Sequence, residues 1–203
     1  MEQDQTFKFV LAHQIDRKLV DAVFEGVKLS DVSESLNTCR IESGLLRLPV
    51  TFCSLKWTDA CFNVLRYFQT VIQPHTGLSG VIIRQYSLTY FPRGQVTSGS
   101  LDMPMNNNYY FVIICIKYNS RFPRFMRKEL DPISGNCPRP APRSAPELEL
   151  EPGQIAVFNG ESFVEFPAGY DGTHKTVEGA EEGADGGFAI LLCCDKQTTG
   201  TGS

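Results

Sequence analysis

Seven cysteines and three histidines are the residues of this chain most able to carry chemistry, and their spacing limits what kind. Cys39, Cys53, Cys61, Cys115, Cys137, Cys193 and Cys194 contain no Cys-x-x-Cys pair. A zinc site of the usual spacing is therefore not expected. Cys115, Cys193 and Cys194 sit inside apolar runs, where a thiol behaves as a small buried hydrophobe. An odd cysteine count without a framework fits reduced thiols. On a strand, the adjacent Cys193 and Cys194 would point to opposite faces. No Gly-x-Ser-x-Gly, His-Glu-x-x-His or Walker pattern is present. Gly169-x-x-Gly172 and Gly183-x-x-Gly186-Gly187 lack the strand-to-helix context of a phosphate loop and read as turns. Trp57 is most simply a core residue of the helix it falls in.

The chain that must position these groups has 203 residues, 42% hydrophobic, 11% aromatic and 21% charged, with a net charge of −4. That suits a single domain with a real core and argues against wholesale disorder. A strongly basic nucleic-acid binder is not the default. No apolar run approaches the roughly 18–20 residues of a membrane span, and Met1 to Gln5 is polar and acidic, unlike a signal peptide. The expectation is an intracellular protein, cytoplasmic or nuclear, with no membrane partner.

Hydrophobic spacing divides the chain into supports and core. Ile15, Leu19, Val23 and Val27 form a helical stripe ending near Gly26, and Arg40 to Phe52 reads as containing a strand. Ser54 is a candidate cap for a helix over 54–73 that carries Leu55, Cys61, Phe62, Leu65, Phe68 and Ile72 and stops at Pro74. From Gly80 the period becomes that of strands. These are Val81-Ile82-Ile83, Ser87 to Phe91, Tyr109 to Tyr118 as a central strand, Ile155 to Phe158 and Phe188 to Cys194. Seven of the twelve prolines lie within 119–152, which reads as a loop or insertion with an extended core at Pro138-Arg139-Pro140-Ala141-Pro142. The domain plan is thus 1–79 as support, 80–118 and 153–195 as β core, 119–152 as a Pro-rich insertion and 196–203 as a tail.

Charge is uneven. Lys117 to Arg143 holds seven basic residues and two acidic ones, whereas Ser144 to Asp185 holds ten acidic residues and Lys175. This is either a solvated loop beside a solvated acidic face or a basic segment that contacts a protein or polyanion.

The predicted fold class is α+β and mostly β: an antiparallel core buttressed by N-terminal helices, of which a double-stranded β-helix, or jelly roll, is one form. The stretch Tyr90-Phe91-Pro92-Arg93-Gly94 to Ser100-Leu101-Asp102 resembles the first metal-binding strand of Fe(II)/2-oxoglutarate-dependent dioxygenases, in which a Tyr and a Pro-Gly-type turn precede His-x-Asp. Pro152-Gly153-Gln154-Ile155-Ala156-Val157-Phe158 is similar to that family's Pro-Gly-x-x-x-x-Phe strand, and His174 and a last apolar strand follow it. The resemblance spans roughly Ile83 to Cys194. It implies Fe(II) held by two histidines and a carboxylate, with the opposite face open to 2-oxoglutarate and oxygen. An arginine on the last strand would pair with the distal carboxylate of 2-oxoglutarate.

Two positions depart from that pattern. Ser100 stands where the first histidine should, and Asp185-Gly186-Gly187-Phe188 offers no cation where the arginine should be. Asp102 and His174 remain as the metal ligands the resemblance implies, with Tyr90 as a co-substrate contact. His174 lies sixteen residues past Phe158, and Glu161 or Glu165 would occupy the nearer position. Each has a plainer reading: His174 as a surface-loop histidine, Asp102 as a turn residue before Met103-Pro104, and Tyr90 as a buried strand tyrosine. The leading functional expectation is a dioxygenase-like protein with an incomplete iron triad, divergent or inactive as a standard dioxygenase. The alternatives are a non-catalytic interaction module using the basic Pro-rich segment, and a metal-dependent enzyme using Asp102, His174 and a glutamate.

Overall fold

In the computed structural model the described residues are 10–28, 30–35, 38, 53–91, 99–101, 109–117, 124–130, 138–140, 150–159, 162–166 and 187–196. The strand expected within Arg40–Phe52 lies outside them.

Helix α1, Arg17–Glu25, starts where Asp16 can cap it: the Asp16 carboxylate accepts a hydrogen bond from the Lys18 N–H at 2.8 Å. Its buried residues are Val20 and Val23, three apart and so on one face. The second helix, α2, spans Asp59–Tyr67 and continues as wider turns through Phe68–Ile72. It begins later than the spacing predicts. Thr58, not Ser54, supplies the cap, its hydroxyl accepting from the Cys61 N–H at 3.4 Å. Ser54 belongs instead to strand β1, Cys53–Leu55, which pairs with the end of β2, Val81–Phe91. Pairing at a sheet edge here overrides a local capping preference. Pro74 follows as expected, inside a final tight turn, Gln73–His75.

The remaining strands are β3 (Gly99–Leu101), β4 (Tyr109–Lys117), β5 (Arg124–Leu130), β6 (Pro138–Pro140), β7 (Ile155–Asn159), β8 (Ser162–Phe166) and β9 (Gly187–Lys196). The two apolar runs expected after Gly80 merge into the single strand β2, with its register shifted between Ile83 and Gln85. A five-stranded sheet has the order β1-β2-β9-β4-β7 and a four-stranded sheet the order β3-β8-β5-β6. Every pairing is antiparallel. Strands β5 and β6 lie within the segment that the sequence reads as a Pro-rich loop. Prolines two apart are compatible with an edge strand, because alternate N–H groups there point away from the neighbour.

The pairs nest along the chain: β5 with β6, β4 with β7, β3 with β8 and β2 with β9. Taken together they are one long hairpin whose strands are divided between two sheets. The fold is mixed α+β and mostly antiparallel sheet.

The five-stranded sheet is buried on both faces. On one face Leu88, Tyr90, Phe188, Ile190, Leu192, Val112 and Ile114 join the helix residues Val23, Cys61, Val64, Phe68 and Ile72 in a single core cluster. On the other face Phe111, Ile113, Cys115, Ala156, Ala189 and Leu191 are equally inaccessible. Double-sided burial is why β4 and β9 read as continuous apolar runs rather than alternating ones. As alternation requires, Cys193 lies opposite Phe111 and Cys194 opposite Tyr110, on different faces. Among the described residues no helix is long and apolar enough to cross a membrane.

Candidate functional site

The strands that carry the motif resemblance converge at one end of the larger sheet. Phe91 is in register with Gly187, and Tyr90 with Phe188. The Pro152-Gly153 turn enters β7 with Gly153 at φ +93°, and a Cβ built there would meet the Ile15 carbonyl oxygen at 2.9 Å. That closeness is used: the Ile15 N–H donates to the Gly153 carbonyl at 2.9 Å, and the Gly153 N–H donates to the Cys115 carbonyl at 2.8 Å. Glycine is thus required by both conformation and space, and the turn ties the N-terminal segment to the central strand.

Tyr90 is 3% exposed. Its ring meets that of Phe188 at 4.9 Å between centroids, and Phe188 in turn meets Phe24 of α1 edge-on at 5.6 Å. The Lys117 ammonium lies 4.7 Å over the Phe24 ring. Tyr90 therefore belongs to the helix-side core. On the opposite face of the same strand, the hydroxyls of Ser87 and Thr89 lie 3.1 Å apart. Thr89 is the sole polar side chain among the buried described residues.

Ser100 is in β3. The register places it opposite Glu165 of β8, and Glu165 is opposite Arg124 of β5 on its other side. This brings together the Ser of Ser-x-Asp and one of the two glutamates nearest the distal-histidine position. Arg124 was not separable by sequence from the other basic residues around it. Its place depends on a strand register between segments some forty residues apart, which leaves no local signal. Asp102 and His174 lie outside the described residues.

At the start of β9, Gly187 and Phe188 are both buried and neither carries charge. The cation of β9 is Lys196, at the opposite end, beside Asp195, whose carboxylate accepts from Arg84 at 2.7 Å. Among the described residues no three His, Cys, Asp or Glu side chains form a group able to hold a metal ion. The start of the last strand, as described, supplies no cationic seat for a carboxylate such as that of 2-oxoglutarate. The thiols of Cys115, Cys193 and Cys194 are not activated either. Burial pushes Cys115 and Cys194 up to about 12, and Cys193 is raised by burial and by Asp195.

No protein-family model and no curated protein sequence matches the chain. In fold it is similar to a non-heme monooxygenase, ThoJ, solved as a nickel complex, with TM-score 0.47, 11% identity and coverage of 94% of this chain and 74% of that one. It is similar to a prolyl-4-hydroxylase from Pseudomonas putida at TM-score 0.45 and 12% identity, covering 93% and 91%. An oxidoreductase of the 2OG-Fe(II) oxygenase family from Burkholderia pseudomallei gives TM-score 0.39 and 10% identity over 70% and 59%.

Proposed function

We propose that this chain is a jelly-roll protein of the 2-oxoglutarate dioxygenase type whose iron triad is incomplete, and that it does not act as a standard dioxygenase. The nested pairing of β2 to β9 across two sheets supports the jelly roll, since two antiparallel sheets sharing one folded hairpin are what that architecture requires. The observation that carries the functional half is the Ser100–Glu165 register. Where the family motif would bring a histidine, β3 brings a hydroxyl, and the strand beside it brings a carboxylate. A neutral hydroxyl is a weak ligand for Fe(II) compared with imidazole. Within this reading Asp102 and His174 are the residues left to hold a metal, with Fe(II) and 2-oxoglutarate as the ligands to test. Tyr90, stacked in the helix-side core, serves packing.

A second reading is favoured by the placement of the basic residues. Arg124, Arg127 and Lys128 of β5 and Arg139 of β6 fall in one ribbon at the edge of the smaller sheet, with Glu129, in register with Arg139, as its one acidic residue. An edge ribbon of this charge suits an anionic partner and gives the interaction-module alternative a surface.

The deciding experiment is metal analysis of protein purified without chelator, together with calorimetric titration of 2-oxoglutarate. The expected result is substoichiometric iron and no 2-oxoglutarate binding below millimolar concentrations. Stoichiometric iron with micromolar co-substrate binding would overturn the proposal.

A further inference from the structure

Strand β2 is longer than its outer neighbour. It runs over Val81–Phe91, whereas β1 pairs only with Leu88 to Tyr90. On its inner side β9 accompanies it along its length, apart from the register shift at Arg84. Val81 is closed off by local bonds: its carbonyl accepts from the Gln73 side-chain amide at 2.6 Å, and its N–H donates to the Leu78 carbonyl at 3.0 Å. Among the described residues no strand pairs with Ile82 to Ser87 on the β1 side. Arg84, Gln85 and Tyr86 are consecutive and all exposed. Successive strand residues point to opposite faces, so neither face is covered there. An open strand edge of this kind presents N–H and C=O groups to another extended chain.

Three aromatic side chains gather where β1 leaves the sheet. The Trp57 ring lies 4.5 Å from that of Tyr86 and 5.7 Å from that of Phe62 on α2, and Phe62 and Tyr86 are 6.2 Å apart. Phe62 and Tyr86 are 46% and 47% exposed, so close to half of each apolar ring faces water. The Trp57 indole N–H is buried beside them and has no acceptor. A buried donor without an acceptor is uncommon in a folded chain.

The charge around this cluster selects among occupants. Lys56 precedes Trp57, Arg66 lies one helical turn beyond Phe62, and Arg84 is two residues before Tyr86; all three are exposed, with Asp59 as the exposed acid among them. Arg84 engages Asp195 through Nε at 2.7 Å, and its side chain is still 59% exposed. A second copy of the chain pairing antiparallel along Ile82 to Ser87 would bring Arg84 close to its own image, like charge against like. An acidic segment meets opposite charge instead.

We propose that the open edge of β2, together with Trp57, Phe62 and Tyr86, docks an extended acidic peptide segment of a partner protein. The segment adds a strand beside Ile82 to Tyr86, seats an apolar side chain on the aromatic rings and brings an acceptor to the Trp57 indole N–H as the half-exposed rings give way. This surface belongs to the larger sheet, and the proposal does not depend on the reading of the iron triad.

The test is calorimetric titration of the full chain with a capped hexapeptide alternating glutamate and valine, followed by amide and indole NMR. Trp57 is the one tryptophan of the chain, so its indole N–H is a single reporter. Binding should move that resonance and protect the Ile82 to Tyr86 amides from exchange. Tyr86→Ala should weaken binding about tenfold and Arg84→Gln about threefold, with thermal midpoints close to that of the wild type because both side chains are exposed. Equal binding of the same peptide with alternate amides N-methylated would overturn the proposal, because edge pairing would then play no part. Equal binding of a peptide with lysine in place of glutamate, or tighter binding of a single-stranded oligonucleotide to the aromatic cluster, would overturn it too. So would an absence of peptide binding at about millimolar concentration.

Discussion

Phe188 opens the last strand and lies across from Tyr90, their rings 4.9 Å apart, while the same Phe188 ring receives the edge of Phe24 from α1. One residue thus joins β2, β9 and the N-terminal helix. It does so at the strand start where a dioxygenase would be expected to hold a cation for its co-substrate. The consequence is that this end of the sheet is committed to packing.

Replacing Phe188 should show how large that commitment is. The ring is fully buried. Phe188→Ala should reduce unfolding free energy by about 3–5 kcal/mol, through lost transfer energy and the cavity left behind. Phe188→Leu should cost clearly less. Equilibrium urea unfolding checks both, and a loss under about 1 kcal/mol for the alanine variant would contradict the packing described.

Gly153 makes a separate prediction, through the backbone. At φ +93° with the Ile15 carbonyl 2.9 Å from any added Cβ, Gly153→Ala is strained in conformation and blocked by main chain that cannot swing aside. A loss of more than about 1 kcal/mol is expected. Hydrogen exchange should locate it: the Ile15 and Leu11 amides, which bond to Gly153 and Ile155, should lose protection first.

The buried thiols set an alkaline limit. Cys115 is pushed from about 9 up to about 12 by burial, so the folded chain keeps a proton that the unfolded chain releases. A raised folded pKa contributes stability that is complete below the unfolded value and is lost as pH climbs towards the folded one. Stability should therefore fall between about pH 9 and 12, and the fall should be shallower in Cys115→Ala. Urea midpoints at pH 8 and pH 10 for both proteins provide the comparison. In the same vein, thiol labelling of native protein at pH 8 should modify half-buried Cys193 before Cys115 or Cys194. Reversed order would contradict the burial.

Much of this fold was legible because burial leaves its period in the sequence. The stripe of Ile15, Leu19, Val23 and Val27, the double-sided runs of β4 and β9 and the Pro152-Gly153 turn each state their own environment, although Val20, outside that stripe, is buried as well. Ser54 misled because β1 is made by pairing with Leu88 to Tyr90, which no window around residue 54 contains. Strand β6 was hidden by its prolines, whose exclusion from strands does not extend to a sheet edge, and β5, which has none, by the prolines at 123 and 132 that flank it. The candidate site was less readable still. Ser100 and Asp102 could be found from a motif, but Arg124 opposite Glu165 follows only from the order of β3, β8 and β5.

That order also determines how the missing histidine should behave when restored. Ser100→His recreates the sequence His-x-Asp and puts a histidine on β3 in register with Glu165 of β8. A third strong donor on an existing sheet adds a metal bond with little new ordering cost. Arg124 of β5 is in register with Glu165, however, and a second positive charge brought to neighbouring strands is opposed by the first. Ser100→His alone should therefore raise Fe(II) affinity modestly. Ser100→His combined with Arg124→Gln should raise it further, by about tenfold or more, the scale of one or two kcal/mol of relieved repulsion. Anaerobic calorimetric titration of Fe(II) into both variants measures this. Turnover of 2-oxoglutarate should stay low in each, because Gly187 and Phe188 still provide no cation at the start of β9. Equal affinities in the two variants would show that Arg124 does not hold the position against a metal, and efficient turnover would show that the co-substrate is seated elsewhere.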